Sequence, residues 1–435
     1  MIVKFNKKRK IFLISILTIL VLIIATVGTY LYGLLNRTNN SPTVKTTERN
    51  ERWMYDLKYV KTELPKKHEN LFFSKIENEF SKEMDLLTSK IEIYSDIEIK
   101  GELAKIVNSI NDSHTLVDIQ GDLVYPLSFF QFEEGIYLNN CSLEYKHLWG
   151  KKLIAVNGYS IEELHLKLDP FVSKDNKAIE KDKFPNLLKF VQVLKIAGVT
   201  KGDEAVFSFE GSTKNDVSVK PLDKFNSQKI IPLSDDTNFI SKFPLTKQNA
   251  SKSYWFNYME KSNVLYVKYN ACSNMPDYSF SKFTKDVFDI IDSKKVKTLV
   301  IDLRDNGGGN SMIFNPFLKA VRKRDSINIK ENLFVIVGRR TFSSAILNAM
   351  DLKNSTNATL IGESTGGKPN HFGEVKLLHL SNTDVDIYYS SNYFKTTNEY
   401  TDSLYPDINI SLKASSYFIG KDDFLDYILD NSIIK

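Results

Sequence analysis

Val296-Lys297-Thr298-Leu299-Val300-Ile301-Asp302-Leu303-Arg304-Asp305-Asn306-Gly307-Gly308-Gly309-Asn310 reads as a buried strand that breaks into a polar, glycine-rich loop. The apolar run meets Asp302, Arg304 and Asp305. Three glycines then let backbone N–H groups approach another molecule closely, which makes the loop a candidate oxyanion cradle. Some forty residues on, Leu333 to Met350 repeats the design. Leu333 to Val337 is a second apolar strand ending at Gly338, and Ser343 stands at the mouth of a helical pattern beginning Ala345-Ile346-Leu347. A serine so placed is positioned as a nucleophile. Each piece also has a plainer reading: a glycine loop after a strand serves as a tight turn or phosphate cradle, and a serine before a helix as an N-cap. Neither strand is followed by a Walker motif or by GxGxxG, so nucleotide binding lacks its fingerprint.

With what surrounds it, the pair resembles the tail-specific, or carboxy-terminal processing, serine proteases and their tricorn-like relatives. The resemblance spans roughly Trp53 to Ile434. It is carried by Ile110-Asn111-Asp112-Ser113-His114-Thr115, Asp302 to Gly309, Thr341-Phe342-Ser343-Ser344-Ala345, Gly362 to His371, and a late Tyr405-Pro406-Asp407-Ile408. It implies an α/β fold with a crotonase-like catalytic core, preceded by a helical region and a PDZ-like β-rich module. It implies a serine peptidase that works without a cofactor, through an acyl-enzyme on Ser343. The Ser344 amide and that of Gly308 or Gly309 would hold the oxyanion.

The resemblance leaves the general base open. One branch of the family uses a lysine, and Lys368 stands 25 residues beyond Ser343, as that branch requires. A lysine serves only when burial lowers its pKa, and Lys368 sits in a polar turn between Gly367 and Pro369. In that branch an acid often lies three residues after the nucleophile, and here Ile346 occupies the position. The other branch uses a histidine preceded by a serine after an N-terminal helix, which Ser113-His114 matches, with an acid near the C-terminus. Glu399 stands about where that acid is expected, and Asp402 competes with it. His371 is a further candidate base or substrate contact. No HExxH motif or Cys/His cluster implies a metal.

The formal charge of +5 arises in the first ten residues, where Lys4, Lys7, Lys8, Arg9 and Lys10 stand without an acid; the other 53 basic and 53 acidic side chains cancel. A neutral folded part argues against a nucleic-acid partner. From Ile11 to Asn36 no charged side chain occurs, long enough for one transmembrane helix, and the preceding charges orient the N-terminus inward. A cleaved signal peptide is the competing reading, although no A-x-A site follows. Cys141 and Cys272 read as two buried thiols, a single disulfide being the alternative.

The expected organisation is a basic cytoplasmic tail (1–10), a transmembrane helix (11–35), a polar linker (36–50), a helical region (51–120), a PDZ-like module (121–225) and the catalytic core (226–435). The amphipathic run before Asn111 ends just short of His114, which puts the imidazole on the loop past the helix, a more exposed and adjustable place than mid-helix. Strand, Asn157-Gly158 turn and helix carry the likeness to a PDZ module, in which a peptide adds to a strand edge; no clear carboxylate-binding loop accompanies them. After Asn226 strand and helix alternate, predicting βαβ units with a parallel or mixed sheet and the site in loops at the strand ends. The functional expectation is a single-pass cell-membrane serine endopeptidase with an extracytoplasmic catalytic part, cleaving unstructured or C-terminal polypeptide segments. Its oligomeric state is unknown. Two other readings keep the fold: a non-catalytic surface protein binding peptides or hydrophobic ligands, and an acyl-CoA enzyme.

Overall fold

The computed structural model describes residues 40–211, 215–224 and 232–433. The basic tail, the apolar segment 11–35 and the first part of the linker therefore lie outside the described residues. Among those described, no helix is long and apolar enough to cross a membrane.

Three helices open the described chain: α1 (Arg49–Lys67), α2 (Glu77–Thr88) and α3 (Asp96–Asn108). They are followed by β1 (Leu116–Val117), β2 (Leu123–Val124), β3 (Leu127–Phe132), β4 (Gly135–Cys141), β5 (Leu153–Val156), β6 (Tyr159–Ser160), α4 (Ile161–Leu168), α5 (Lys177–Leu187), α6 (Val191–Ile196), β7 (Ala205–Phe209), β8 (Asn215–Val219) and β9 (Leu222–Asp223). The turn at Asn157-Gly158 has positive φ at both residues and is followed by α4, whose start is fixed by a capping box between Ser160 and Glu163. Strands β6, β5, β7 and β8 form one sheet in that order.

The second half contains β10 (Tyr254–Met259), β11 (Val264–Tyr269), α7 (Phe280–Lys294), β12 (Thr298–Asp302), α8 (Asn315–Arg322), β13 (Leu333–Val337), α9 (Ser344–Ser355), β14 (Thr359–Gly362), β15 (His371–Leu380), β16 (Val385–Phe394), β17 (Ile408–Asn409) and a last helix, α10 (Asp423–Ile433). Strands β10-β11-β12-β13-β14-β17 form a six-stranded mixed sheet, parallel from β11 to β17 with β10 antiparallel at one edge. Every residue of β11, β12, β13 and β14 is buried, because helices cover both faces. The alternation of a strand then sends neighbours to opposite cores. Leu265, Val267, Leu299, Ile301, Leu333 and Val335 pack with α7, α8 and α9, whereas Val264, Tyr266, Val300, Phe334 and Ile336 pack against Phe424, Leu425 and Ile428 of α10.

The hairpin β15–β16 leaves this sheet and pairs with β1 beside the N-terminal helices. Its buried residues Leu378, Leu380, Ile387 and Tyr389 belong to the same core as α1–α3 and strands β3–β8. The C-terminal half and the N-terminal half are thus joined through a shared core, and the loop leading from β14 into β15 is carried toward His114. Both cysteines are free and buried.

Candidate active site

Ser343 ends the turn between β13 and α9 with φ +53° and ψ −127°, a conformation costly for a residue with a side chain. The turn is held from several sides. Thr341 donates its hydroxyl to the Leu303 carbonyl at 2.9 Å, and the Phe342 amide donates to the Asn306 carbonyl at 3.0 Å. Arg339 forms a bidentate pair with Glu363 at 2.8 and 2.6 Å and donates to the Gln131 carbonyl of β3 at 2.6 Å. A buried Arg–carboxylate fork of this kind fixes orientation as well as position. It ties the serine turn both to the end of β14 and to the N-terminal half.

The glycine loop lies directly against this turn. A Cβ on Gly308 would stand 2.8 Å from the Cβ of Ser343 and 3.1 Å from the Ser344 amide nitrogen, so a side chain is excluded there. The Gly308 amide is already used, donating to Oδ1 of buried Asn306 at 2.9 Å. The amides of Gly309 and Ser344 have no partner among the described residues, and Ser344 is the first residue of α9, where N–H groups point out of the helix. The Ser344 hydroxyl donates to the Gly309 carbonyl at 2.6 Å and pins the two together. Of the two glycines the sequence offers as second donor, Gly309 is the one whose N–H is free.

Beneath the loop, Lys268, fully buried on β11, forms ion pairs with Asp302 at 3.2 Å and Asp305 at 2.8 Å. Arg304 joins Asp302 at 2.9 Å to Asp422 at 2.7 Å, just before α10. Burial would raise the Asp302 carboxyl, but Arg304 and Lys268 hold it below its usual range. The acids that stand out in the sequence before the glycines are therefore the buried ionic footing of the loop.

His114 is 6% exposed, not on an open loop as its place after α3 suggested. Its imidazole stacks on the Phe342 ring, 4.3 Å between centroids, and on His371 at 5.8 Å. The burying groups come from far along the chain, which a local helical pattern does not reveal. Neither ring nitrogen has a hydrogen-bond partner among the described residues. The structure thus brings the histidine beside the serine turn, with the bond between them unmade.

Lys183 of α5 braces the same place. It donates to the carbonyls of Ser113 at 3.1 Å and Ser173 at 2.6 Å and lies over the Phe342 ring at 5.9 Å. Burial pushes its ammonium down to about 8. Ser113 has a buried hydroxyl without a partner, and its amide donates to Asp175 at 2.8 Å. His371 donates from Nδ1 to the Lys368 carbonyl at 2.9 Å if that nitrogen carries the proton, and burial, reinforced by His114, pushes it down to about 4. It is thus a neutral neighbour of His114.

The other candidates make no described hydrogen bond with the imidazole. Lys368 contributes its backbone to the His371 contact, while its charge acts on Asp175. Glu399 is exposed, and its described hydrogen bonds are made through its backbone. Asp402 is also exposed and accepts from the Tyr405 hydroxyl at 2.5 Å. The acid nearest the imidazole is Asp112, whose Oδ1 lies 3.8 Å from Nδ1 of His114. A search for an acid near the C-terminus passes over it, although Asp112-x-His114 is its visible signal.

Comparison with solved structures finds this architecture in mature CPAF complexed with lactacystin, with a TM-score of 0.63 and 11% identity, covering 88% of this chain and 98% of that one. The fold is that of CPAF. Mature CPAF without that compound gives a TM-score of 0.60 at 11% identity, covering 88% and 97%. The photosystem II D1 C-terminal processing protease is a looser match, at a TM-score of 0.41 and 12% identity over 84% and 93%. No family profile and no curated protein matches the sequence. At such identities the CPAF likeness is one of fold, and the chemistry rests on the site.

Proposed function

We propose that the chain is a serine endopeptidase acting on unstructured or C-terminal polypeptide segments. The observation that carries this reading is the left-handed Ser343, set against Gly308 with free amides at Gly309 and Ser344 and with His114 packed on the adjacent Phe342. Ser343 attacks the scissile carbonyl, His114 accepts its proton and passes it to the leaving amine, and the two amides receive the oxyanion. Water then hydrolyses the acyl-enzyme with the same histidine as base. Losing one oxyanion donor typically costs about 3 kcal/mol of transition-state stabilisation. The imidazole must first come within bonding reach of the hydroxyl, a tightening common between free and substrate-bound enzymes.

Membrane anchoring through residues 11–35, with the peptidase outside the cytoplasm, belongs to the same proposal and rests on the apolar run and the five preceding charges. So does a PDZ-like role for 121–225, which the Asn157-Gly158 turn leading into α4 supports. The unmade Ser343–His114 bond favours a second reading, a peptide-binding surface protein without catalysis. Casein cleavage by the full-length chain, its Ser343→Ala variant and its His114→Ala variant separates the two. Activity lost in both variants supports the peptidase; no cleavage by the parent chain, or equal cleavage by all three, contradicts it.

A further inference from the structure

The carboxylate nearest His114 comes from two residues upstream. Asn111, with φ +61°, ends the helical run, and Asp112 then folds back so that Oδ1 accepts the His114 backbone N–H at 3.1 Å. This local turn is a common use of aspartate and by itself means little. What exceeds it is the anchoring of the other oxygen. Oδ2 accepts from the Thr115 hydroxyl at 2.6 Å, from the Ser390 hydroxyl of β16 at 2.6 Å, and contacts His68 Nε2, just beyond α1, at 3.0 Å. Its own loop and two distant parts of the fold thus hold one carboxylate that is 2% exposed, and its remaining oxygen faces Nδ1 of His114 at 3.8 Å.

We propose that Asp112 is the positioning carboxylate of His114, holding the Nδ1 edge of the ring and stabilising the imidazolium formed when Ser343 gives up its proton. The inference rests on the peptidase reading above. In the step concerned, the Ser343 Oγ–H bond breaks as Oγ bonds to the carbonyl carbon, the proton goes to Nε2 of His114, and Nδ1–H is directed at Asp112. Asp112 stays ionised and the proton leaves with the amine. Burial alone would raise the Asp112 carboxyl, but His114, His68 and Ser390 hold it well below the usual carboxylate range, so it is an anion throughout the working pH range.

The remaining groups around the imidazole are Asp175 and Lys183 from the segment running into α5, and His371 and Lys368 from the approach to β15. Asp175 already accepts the Ser113 amide, and burial, with Asp112 close by, raises its carboxyl. Lys183 is spent on two carbonyls. Glu399 is exposed, and no described side-chain contact links it to the ring.

The test reads His114 directly. Full-length Ser343→Ala protein in detergent, labelled at histidine 13Cε1, is titrated by NMR with and without Asp112→Asn, Glu399→Gln or Ser390→Ala. Removing the anion lowers the His114 midpoint by about one pH unit in Asp112→Asn, loosening one of its anchors lowers it by a smaller step in Ser390→Ala, and Glu399→Gln leaves it in place. In the Ser343-bearing protein, Asp112→Asn lowers kcat about 100-fold with little change in KM, and moves the acid limb of kcat/KM down by the same shift. An unmoved midpoint in Asp112→Asn, or a moved one in Glu399→Gln, overturns the inference. If Asp112→Asn does not fold, Ser390→Ala, which loosens the same carboxylate, takes its place: a lowered midpoint supports the inference and an unmoved one overturns it. Because the NMR needs no turnover, the role of Asp112 is tested separately from whether Ser343 proves to be the nucleophile.

Discussion

The imidazole of His114 lies flat against the ring of Phe342, 4.3 Å between centroids and 23° from parallel, one residue before Ser343. Some 230 residues of chain separate the two rings, so the contact measures how the N-terminal half presents its histidine to the serine turn. An aromatic pair of this type contributes about 1 kcal/mol beyond its buried area. Phe342→Leu is therefore expected to lower kcat about tenfold with little change in KM. Unchanged kcat would mean that the stack does not set the position of the ring.

A methyl group at Gly308 has nowhere to go. With φ at +111° and a Cβ that would stand only 2.8 Å from Ser343 Cβ, Gly308→Ala must push the serine turn away. Backbone strain of this kind costs about 1–3 kcal/mol. The expected result is near-complete loss of casein cleavage with a drop in Tm of several degrees, read by calorimetry alongside the assay.

Lys268 shares the positive charge beneath the glycine loop with Arg304, paired to Asp302, and with Lys247, paired to Asp305 at 2.7 Å. Lys268→Ala removes the cation common to both buried acids and leaves each with one. Breaking one side of an otherwise uncompensated buried pair costs about 3–5 kcal/mol, so a loss of about 1–3 kcal/mol is expected here. Urea unfolding showing less than about 1 kcal/mol of change would mean that the network carries little of the fold.

His371 gives the chain an acid-sensitive window. Its pKa, ordinarily near 6.5, is pushed down to about 4 in the folded protein. Between these values the unfolded chain binds more protons, so stability is full above the upper limit and is lost as pH falls toward the lower one. A shift of that size corresponds to about 3 kcal/mol as an upper figure. In His371→Gln, the decline in Tm between pH 7 and pH 4.5 should be visibly shallower than in the parent; equal slopes would assign the acid sensitivity to other groups.

Much of the architecture could be read along the chain because the relevant signals are local. The strand Leu333–Val337, the Asn157-Gly158 turn leading into a helix, and the alternation of strand and helix after Asn226 stand where apolar runs and turn residues put them. The serine turn and glycine loop were legible for the same reason, each being a strand end with its own punctuation. What was not legible depends on contacts across the fold. The burial of His114 is made by Phe342 and His371, the anchoring of Asp112 by His68 and Ser390, and the bracing by Lys183 comes from a helix that carries no catalytic motif. Glu399 stands where the resemblance expects an acid, and position along the chain does not say that a segment stays in solvent.

The choice of base can be made on one peptide substrate. His114→Ala is expected to lower kcat/KM by about 100-fold or more, and Lys368→Ala by less than about threefold. The reverse pattern would assign the proton to the lysine.

Active-site labelling of the full-length chain with a fluorophosphonate, followed by peptide mapping, addresses the central claim most directly. A single adduct on Ser343 is expected, formed more slowly in His114→Ala and absent from Ser343→Ala. An adduct on another serine, or none in protein that cleaves casein, would contradict the assignment of Ser343 as nucleophile.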